Sequence, residues 1–214
     1  MSEIEIVIAR YNEDISWSYR YKEYCVVYNK GRDIIEYPFK EVINLENVGR
    51  ESHTYLYHII THWDKLAIKT LFTQGNIFDH VGLNFDLSIF FVEEYDFIIK
   101  NGALIKDYDS TTGEILHYGK WEKELEEGKM MKAKKSFVDW CKEVLNISLD
   151  NGPIFYGPGA TFSVSKRLIY NRPLEFYKYL MSFLENHPNP EEGHYLERTW
   201  VYIFCDFNAK ILVV

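Results

Sequence analysis

Three apolar runs in the first third of the chain each break off into polar and charged residues. No other feature constrains the fold as tightly. Glu3-Ile-Glu-Ile-Val-Ile-Ala9 leads into Arg10-Tyr-Asn-Glu-Asp14, and Tyr24-Cys-Val-Val-Tyr28 ends at the turn Asn29-Lys-Gly31. Ala67 to Thr73 runs out into Gln74-Gly-Asn-Ile-Phe-Asp79. In an open α/β sheet the ligand crevice lies outside the carboxyl ends of the strands. Strand ends of this kind read as a nucleotide-type site.

Between the second and third runs, Asn47 to Gly49 lead into a helix of about four turns, with Leu56, Ile59, Ile60 and Trp63 at helical spacing. After residue 86 the texture changes. Ile89–Val92, Phe97–Ile99 and Ala103–Ile105 read as short β-type runs, with Asp109-Ser-Thr-Thr-Gly113 as a turn. Lys120 to Leu145 reads as charged and helical, with Phe137, Trp140, Cys141 and Val144 on its apolar side. Asn151-Gly-Pro and Tyr156-Gly-Pro-Gly-Ala160 are loops, and Pro173 opens a helix burying Phe176, Tyr177, Leu180 and Phe183 or Leu184. A last helix is expected over about 194–204, then a terminal strand. The expected fold class is therefore α/β, a mixed sheet flanked by helices in a single domain, with antiparallel structure added in the second half.

The formal net charge of −8 argues against a general nucleic-acid binder, which carries a basic face. It also requires an anionic ligand to be neutralised locally, by a few placed Arg or Lys side chains and a divalent cation. Three cysteines without CxxC spacing fit a reducing compartment better than a disulfide framework or a zinc knuckle. No apolar run approaches the roughly 18 residues that span a bilayer, so no membrane insertion is expected. Met1-Ser-Glu-Ile-Glu is acidic and unlike a secretory leader. Ile211-Leu-Val-Val214 reads either as a final core strand or as the edge of a domain followed by others, the second being favoured. With 17 Tyr, 14 Phe and 5 Trp, aromatic residues are abundant; a Tyr-rich core explains most of them, and sugar binding is the other use.

Assembled in order, several stretches resemble glycosyltransferases of the GT-A (Rossmann-like) type, in a family of viral, fungal and algal proteins. They are Ala9-Arg-Tyr-Asn-Glu-Asp14, Tyr28-Asn-Lys-Gly31, Asn47-Val-Gly-Arg-Glu-Ser-His-Thr-Tyr55, and Gln74-Gly75 with Asp79-His80. Phe162-Ser-Val-Ser-Lys166, Arg172-Pro-Leu-Glu-Phe-Tyr177 and His194-Tyr-Leu-Glu-Arg-Thr-Trp200 complete the set. The resemblance covers nearly the whole chain. It implies a UDP-sugar donor of glucose or rhamnose type, Mn²⁺ or Mg²⁺, a glycan acceptor on a viral capsid glycoprotein, and the cytoplasm, that of the host if viral. It also implies a nucleotide-binding half over about 1–100 and an acceptor half over about 101–214.

Such enzymes usually hold the metal with Asp-x-Asp after a central strand. Here that strand is followed by a single acidic residue, Asp79, which is expected to be the metal carboxylate. The literal match Asp107-Tyr-Asp109 sits in an apparent hairpin turn, where Asp is common for backbone reasons. Arg10 and Lys30, at strand ends, are expected to meet phosphate, a surface ion pair being the alternative for each. Tyr11 and Asn12 suit stacking and hydrogen bonding to the uracil. Arg50 and Ser52 open a helix whose N-terminus favours an anion, and Ala9 and Asn76 complete the nucleotide-binding set. Glu197 is the expected catalytic carboxylate, a base in an inverting reaction or a stabiliser or nucleophile in a retaining one. The alternative is a charged pair with Arg198 on a solvated helix face. His194, one turn before Arg198, is expected to reach metal or diphosphate. His58 and His62 read as helix-face histidines. The loop 156–160 and Phe162 are expected on the acceptor side, where glycine permits close approach. Two other functions fit the same residues: a metal-dependent nucleotide-sugar hydrolase using Asp79 and His194 on water, and a non-catalytic carbohydrate-binding domain.

Overall fold

Alternation along β1 (Ile4–Arg10) sends Ile6 and Ile8 to one face and Val7 to the other, and all three are fully buried. A strand buried on both faces belongs in the middle of a sheet covered on both sides. The computed structural model describes residues 3–32, 38–80 and 86–214 apart from the side chains of Asp79 and His80, and there the protein is a single α/β unit. β1 pairs in parallel with β2 (Cys25–Asn29) and, on its other side, with β4 (Lys69–Gln74). β3 (Glu41–Asn44) continues outward from β2, also in parallel. Beyond β4 the order runs through β8 (Phe162–Ser165) and β5 (Phe97–Ile99) to β9 (Ile211–Val213), so seven of the described strands form one mixed sheet. A separate antiparallel pair joins β6 (Ala103–Ile105) to β7 (Ile154–Tyr156).

This order creates a switch point. The chain runs outward from β1 through β2 and β3, then returns through helix α1 (Arg50–Thr61) to β4 on the opposite side of β1. The connections diverge above the carboxyl ends of β1 and β4, which opens a crevice there. β8 runs antiparallel to β4, with Phe162 opposite Phe72 near the carboxyl end of β4. That polarity brings the loop preceding Phe162 to the rim of the crevice.

One face of the sheet is covered by α1, α5 (Leu174–Met181) and α6 (Glu191–Phe204), with Tyr55, Leu56, Tyr177, Leu180, Leu196 and Trp200 packing on Val7, Val26, Phe72 and Phe162. On the other face, Ile15 and the 3-10 turn Leu87–Phe91 cover Ile6, Ile8, Val27 and Leu71. Short helices α2 (Lys120–Glu126), α3 (Phe137–Trp140) and α4 (Lys166–Ile169) complete the described elements.

Several expectations are corrected. Ile89–Val92 is not a strand; the 3-10 turn starts at Asp86, whose carboxylate accepts hydrogen bonds from the Ser88 backbone N–H at 3.0 Å and its hydroxyl at 2.8 Å. The span 120–145 is not one helix. It breaks after α2, where the N–H groups of Lys129 and Met130 both donate to the Glu124 carbonyl, and resumes at α3 with a π turn over Cys141–Leu145. α6 begins at Glu191, three residues before the expected start. β9 lies at the sheet edge with Ile211 and Val213 exposed, so it is not a core strand. Among the described residues, no helix is long and apolar enough to cross a membrane.

Candidate functional site

Two cavities meet above the β1–β4 switch point. The first, about 390 Å³, has Ala9, Arg10 and Tyr11 from β1 and its exit on one wall, and Lys30, Arg50 and Glu51 on another. Glu13, Trp121, Glu124 and Asn189 close its outer side. The second, about 280 Å³, is lined by Tyr156, Pro158 and Gly159 and by His194, Glu197 and Arg198 of α6. Arg50, Gln74 and Trp121 line both.

Arg50 is the hinge of this arrangement. It stands at the first position of α1 with φ of 54°, directly after Gly49 at φ 62°. A left-handed backbone costs a non-glycine residue about 1–2 kcal/mol, and two tertiary hydrogen bonds hold it: Gly49 N–H to the His187 carbonyl at 2.9 Å, and Arg50 N–H to the Pro188 carbonyl at 3.2 Å. Gly49 is required twice over, because a Cβ there would lie 2.6 Å from the Leu184 Cβ. The Arg50 guanidinium donates to His194 Nε2 at 2.6 Å and lies 4.5 Å from the centre of the Trp121 ring. Burial opposes its charge, but Glu51, Glu197 and Glu124 more than offset this and hold it firmly protonated.

The same guanidinium nitrogen lies 3.1 Å from Nδ1, and whichever ring nitrogen accepts from it must offer a lone pair, so the imidazole is neutral. Burial, with Arg50 and Arg198 nearby, keeps its pKa far below the usual histidine range. His194 is thus an acceptor that aims Arg50 and is no proton carrier near neutrality. Three and four residues along the same helix face come Glu197 and Arg198. Glu197 Oε1 accepts from Gly159 N–H at 2.7 Å, and its Oε2 lies 3.7 Å from Arg198 Nη1. Arg198 Nε donates to Asp107 Oδ2 at 2.6 Å, and the Tyr156 hydroxyl donates to the same oxygen at 2.7 Å.

The other two expected phosphate ligands are engaged differently. Arg10 donates to Asn29 Oδ1 at 2.6 Å and to the carbonyls of Glu13 and Arg32 at 3.0 Å, tying together the loops that leave β1 and β2. Lys30, 9 % exposed, donates to the carbonyls of Val48 and Arg50, each at 2.6 Å, so it clamps the turn that presents Arg50. Burial lowers its pKa to about 7, with Glu51 acting in the opposite sense. His53, behind it, is held at about 4 by burial and by Lys30.

The cavity walls thus gather Ala9, Arg10, Tyr11, Lys30, Arg50, His194, Glu197 and Arg198. Asn12, Ser52 and Asn76 do not line them: Asn12 Oδ1 accepts from Arg32 N–H at 2.8 Å, Ser52 Oγ faces the Gly193 carbonyl at 3.4 Å, and Asn76 Oδ1 accepts from Phe78 N–H at 3.2 Å. Asp79 falls in the 3-10 turn Ile77–His80, and its side chain lies outside the described residues. Phe162, expected on the acceptor side, is in the core. Asp109 caps its own turn by accepting from Thr111 and Thr112 N–H at 2.8 and 2.7 Å, while Asp107 orients Arg198. His58, fully buried, lies 3.0 Å from Glu5 and 3.0 Å from the Tyr28 hydroxyl, and stacks on His62 away from the cavities. Trp121 and Asn189 went unnoticed in the sequence, and Gln74 and Glu13 were marked only as members of the strand-end stretches, with no role.

Compared with known proteins, the chain matches no protein-family model and no curated protein sequence.

Proposed function

We propose that this protein is a metal-dependent glycosyltransferase of GT-A architecture, moving a sugar of glucose or rhamnose type from a UDP-sugar to a glycan acceptor. The observation that supports it is the shared position of Arg50 between two cavities at a parallel-sheet switch point. One cavity is rimmed by strand ends and cations, the other holds the α6 carboxylate Glu197. Together they suit a nucleotide diphosphate and the hydroxyl that displaces it.

In this reading Arg50 meets the diphosphate as charge builds on it, and its clamped backbone and neutral His194 fix its direction before the ligand arrives. Glu197 takes the proton of the acceptor hydroxyl, held in place by Gly159 N–H. Arg198, fixed by Asp107, lies beside Glu197 and helps to hold its direction. Among the described residues no three His, Cys, Asp or Glu side chains converge as metal ligands. Asp79, chosen from the sequence alone, would be the carboxylate that holds the metal. A bound Mn²⁺ or Mg²⁺ would supply Lewis-acid screening of the leaving group.

Calorimetric titration of UDP with and without Mn²⁺, repeated on Asp79→Ala and Arg50→Met, tests the reading. Expected are metal-dependent binding that Asp79→Ala abolishes and a loss of at least tenfold in affinity for Arg50→Met. No UDP binding with or without metal would refute it. UDP release from a UDP-sugar that is indifferent to added glycan would mark a hydrolase instead.

A further inference from the structure

The cleft has one wall that is built unlike the others. α2 buries none of its seven residues, yet it carries Trp121 into both cavities. Most of the remaining wall comes from sheet strands, α1 and α6, all anchored in the core. Immediately before α2 stands Gly119 at φ 58°, and two residues after it Gly128 at φ 69°. A Cβ added at either would meet no atom within 4 Å. Packing does not demand these glycines; each holds a positive φ that a side chain would strain, Gly128 as the left-handed residue that ends α2, and together they bound one exposed segment.

The feet of this segment are pinned together. Glu191 Oε1 lies 2.9 Å from His117 Nε2, and Glu191 Oε2 accepts from Ala133 N–H at 2.8 Å, so one buried carboxylate ties the chain before and after α2 to the start of α6. Beyond Gly128 the chain is anchored again, with Met130 buried and Met131 exchanging backbone hydrogen bonds with Asn189 and Glu191 at 3.0 and 2.9 Å, whereas the contacts made between the two glycines are few. Asn189 Nδ2 donates to Glu124 Oε2 at 2.9 Å, and the Trp121 ring rests against Arg50 and meets His194 edge-on at 4.9 Å between ring centres.

We propose that residues 119–128 form a hinged arm that swings on Gly119 and Gly128. Trp121 is its latch and a positioning residue, closing over Arg50 to complete both cavities and lifting away to admit ligand. Short segments hinged at small residues are a common means of gating a site. Here the latch and the anion-facing cation are in direct contact, so whatever engages Arg50 also changes what Trp121 closes upon. The inference concerns the same cleft as the proposed function but does not depend on what the ligand is.

A thiol at the floor of the cleft reports the opening. Gln74→Cys places it at the end of β4, where both cavities meet. Background is low, because Cys25 and Cys141 are buried, Cys205 is half-buried, and burial pushes all three thiols up to about 12. Labelling with a bulky aromatic disulfide is followed in Gln74→Cys alone, with Gly119→Ala and Gly128→Ala added, and with Trp121→Ala added. Alanine is strained at the closed positive φ and relieved on opening. Each glycine substitution should therefore speed labelling about fivefold, the factor corresponding to about 1 kcal/mol. Trp121→Ala should speed it by at least as much, and in every variant the labelling rate should stay nearly independent of urea below the unfolding transition, which marks a local opening. Labelling that is unchanged in the glycine variants, or whose rate climbs with urea as steeply as global unfolding does, would overturn the arm and make α2 a fixed wall. Because no nucleotide is present, this result is independent of the UDP titration.

Discussion

Replacing Lys30 with Met tests how the turn that carries Arg50 is held. In the folded protein Lys30 is buried and its pKa falls to about 7 from a usual value of 10.5. Below pH 7 the folded and unfolded chains both carry the proton, and the native state bears the full cost of a buried ammonium. Between pH 7 and 10.5 the native state gives up the proton while the unfolded chain keeps it, so the unfolded state binds more protons and stability rises with pH. One proton over the two units from pH 7 to 9, at about 1.36 kcal/mol per unit, amounts to roughly 2 to 3 kcal/mol. The hydrogen bonds do not disappear in the process, because a neutral amine still has two N–H groups for the carbonyls of Val48 and Arg50. His53, held at about 4 against a usual 6.5, adds a rise of its own at the low end of this range, but it is present in both proteins and drops out of their difference. Lys30→Met has no such titration. Urea unfolding of both proteins at pH 6, 7, 8 and 9 should show the parent gaining roughly 2 to 3 kcal/mol on the variant across the series. A difference that is flat from pH 6 to 9 would refute a buried, proton-shedding Lys30. A flat difference is also what an ammonium stabilised where it sits would give, because such a group loses stability only above pH 10.5.

Two further perturbations follow from the same kind of reasoning. Arg198→Met leaves the Asp107 carboxylate buried with only the Tyr156 hydroxyl for company, and should cost about 3–5 kcal/mol by chemical denaturation; adding Asp107→Asn should restore part of that loss, and a double variant as unstable as the single one would count against the pair. Glu5 is 4 % exposed, and although burial works to raise its pKa, His58 and Lys40 reverse this and bring it to about 2 from 4.5. Its contribution, about 3 kcal/mol, is present above pH 4.5 and lost as pH falls towards 2. Acid unfolding of Glu5→Gln should lack that fall, and an acid limb parallel to the parent's would contradict it.

Where the sequence was readable, the reason is a strong period. β1, β2, α1, β4 and α6 carry alternation or helical spacing that local physics cannot mistake, and all are core elements. The strand β8 was hidden because Phe162-Ser-Val-Ser165 looks like half-buried alternation beside a glycine-rich loop. It is in fact buried on both faces, and Ser163 is tolerated inside because its hydroxyl donates to the Phe90 carbonyl at 2.6 Å. A partner 73 residues away in sequence leaves no local mark. β3 was missed for the opposite reason: Glu41-Val-Ile-Asn44 is a short edge strand with little to bury. The 3-10 turn at 87–91 was misread because four apolar residues outweighed the Asp86-x-Ser88 cap that precedes them.

The site was legible as a list and not as a division of labour. Arg10 and Lys30 occupy equivalent positions at the ends of neighbouring strands, and Arg10 pairs with Asn29 across the register. From spacing alone both read as phosphate ligands. Yet each spends its donors on the protein: Arg10 on the loops after β1 and β2, Lys30 on the turn before α1. Arg50, which spacing placed merely at a helix start, is the cation they help to aim. The acceptors that decide this are carbonyls of Val48, Arg50, Glu13 and Arg32, and a carbonyl has no letter in the sequence. Trp121 was invisible for a related reason, since it sits in a charged, unburied segment whose pattern resembles a solvated helix. Under the proposed function, a chain of net charge −8 would meet its anion at this place with a few immobilised cations in an otherwise acidic surface. Buried pairs such as Arg198 with Asp107 supply little net charge, so what they contribute is direction. On the proposed function, recognition of the diphosphate then rests on the placement of Arg50, more than on the number of basic residues around it.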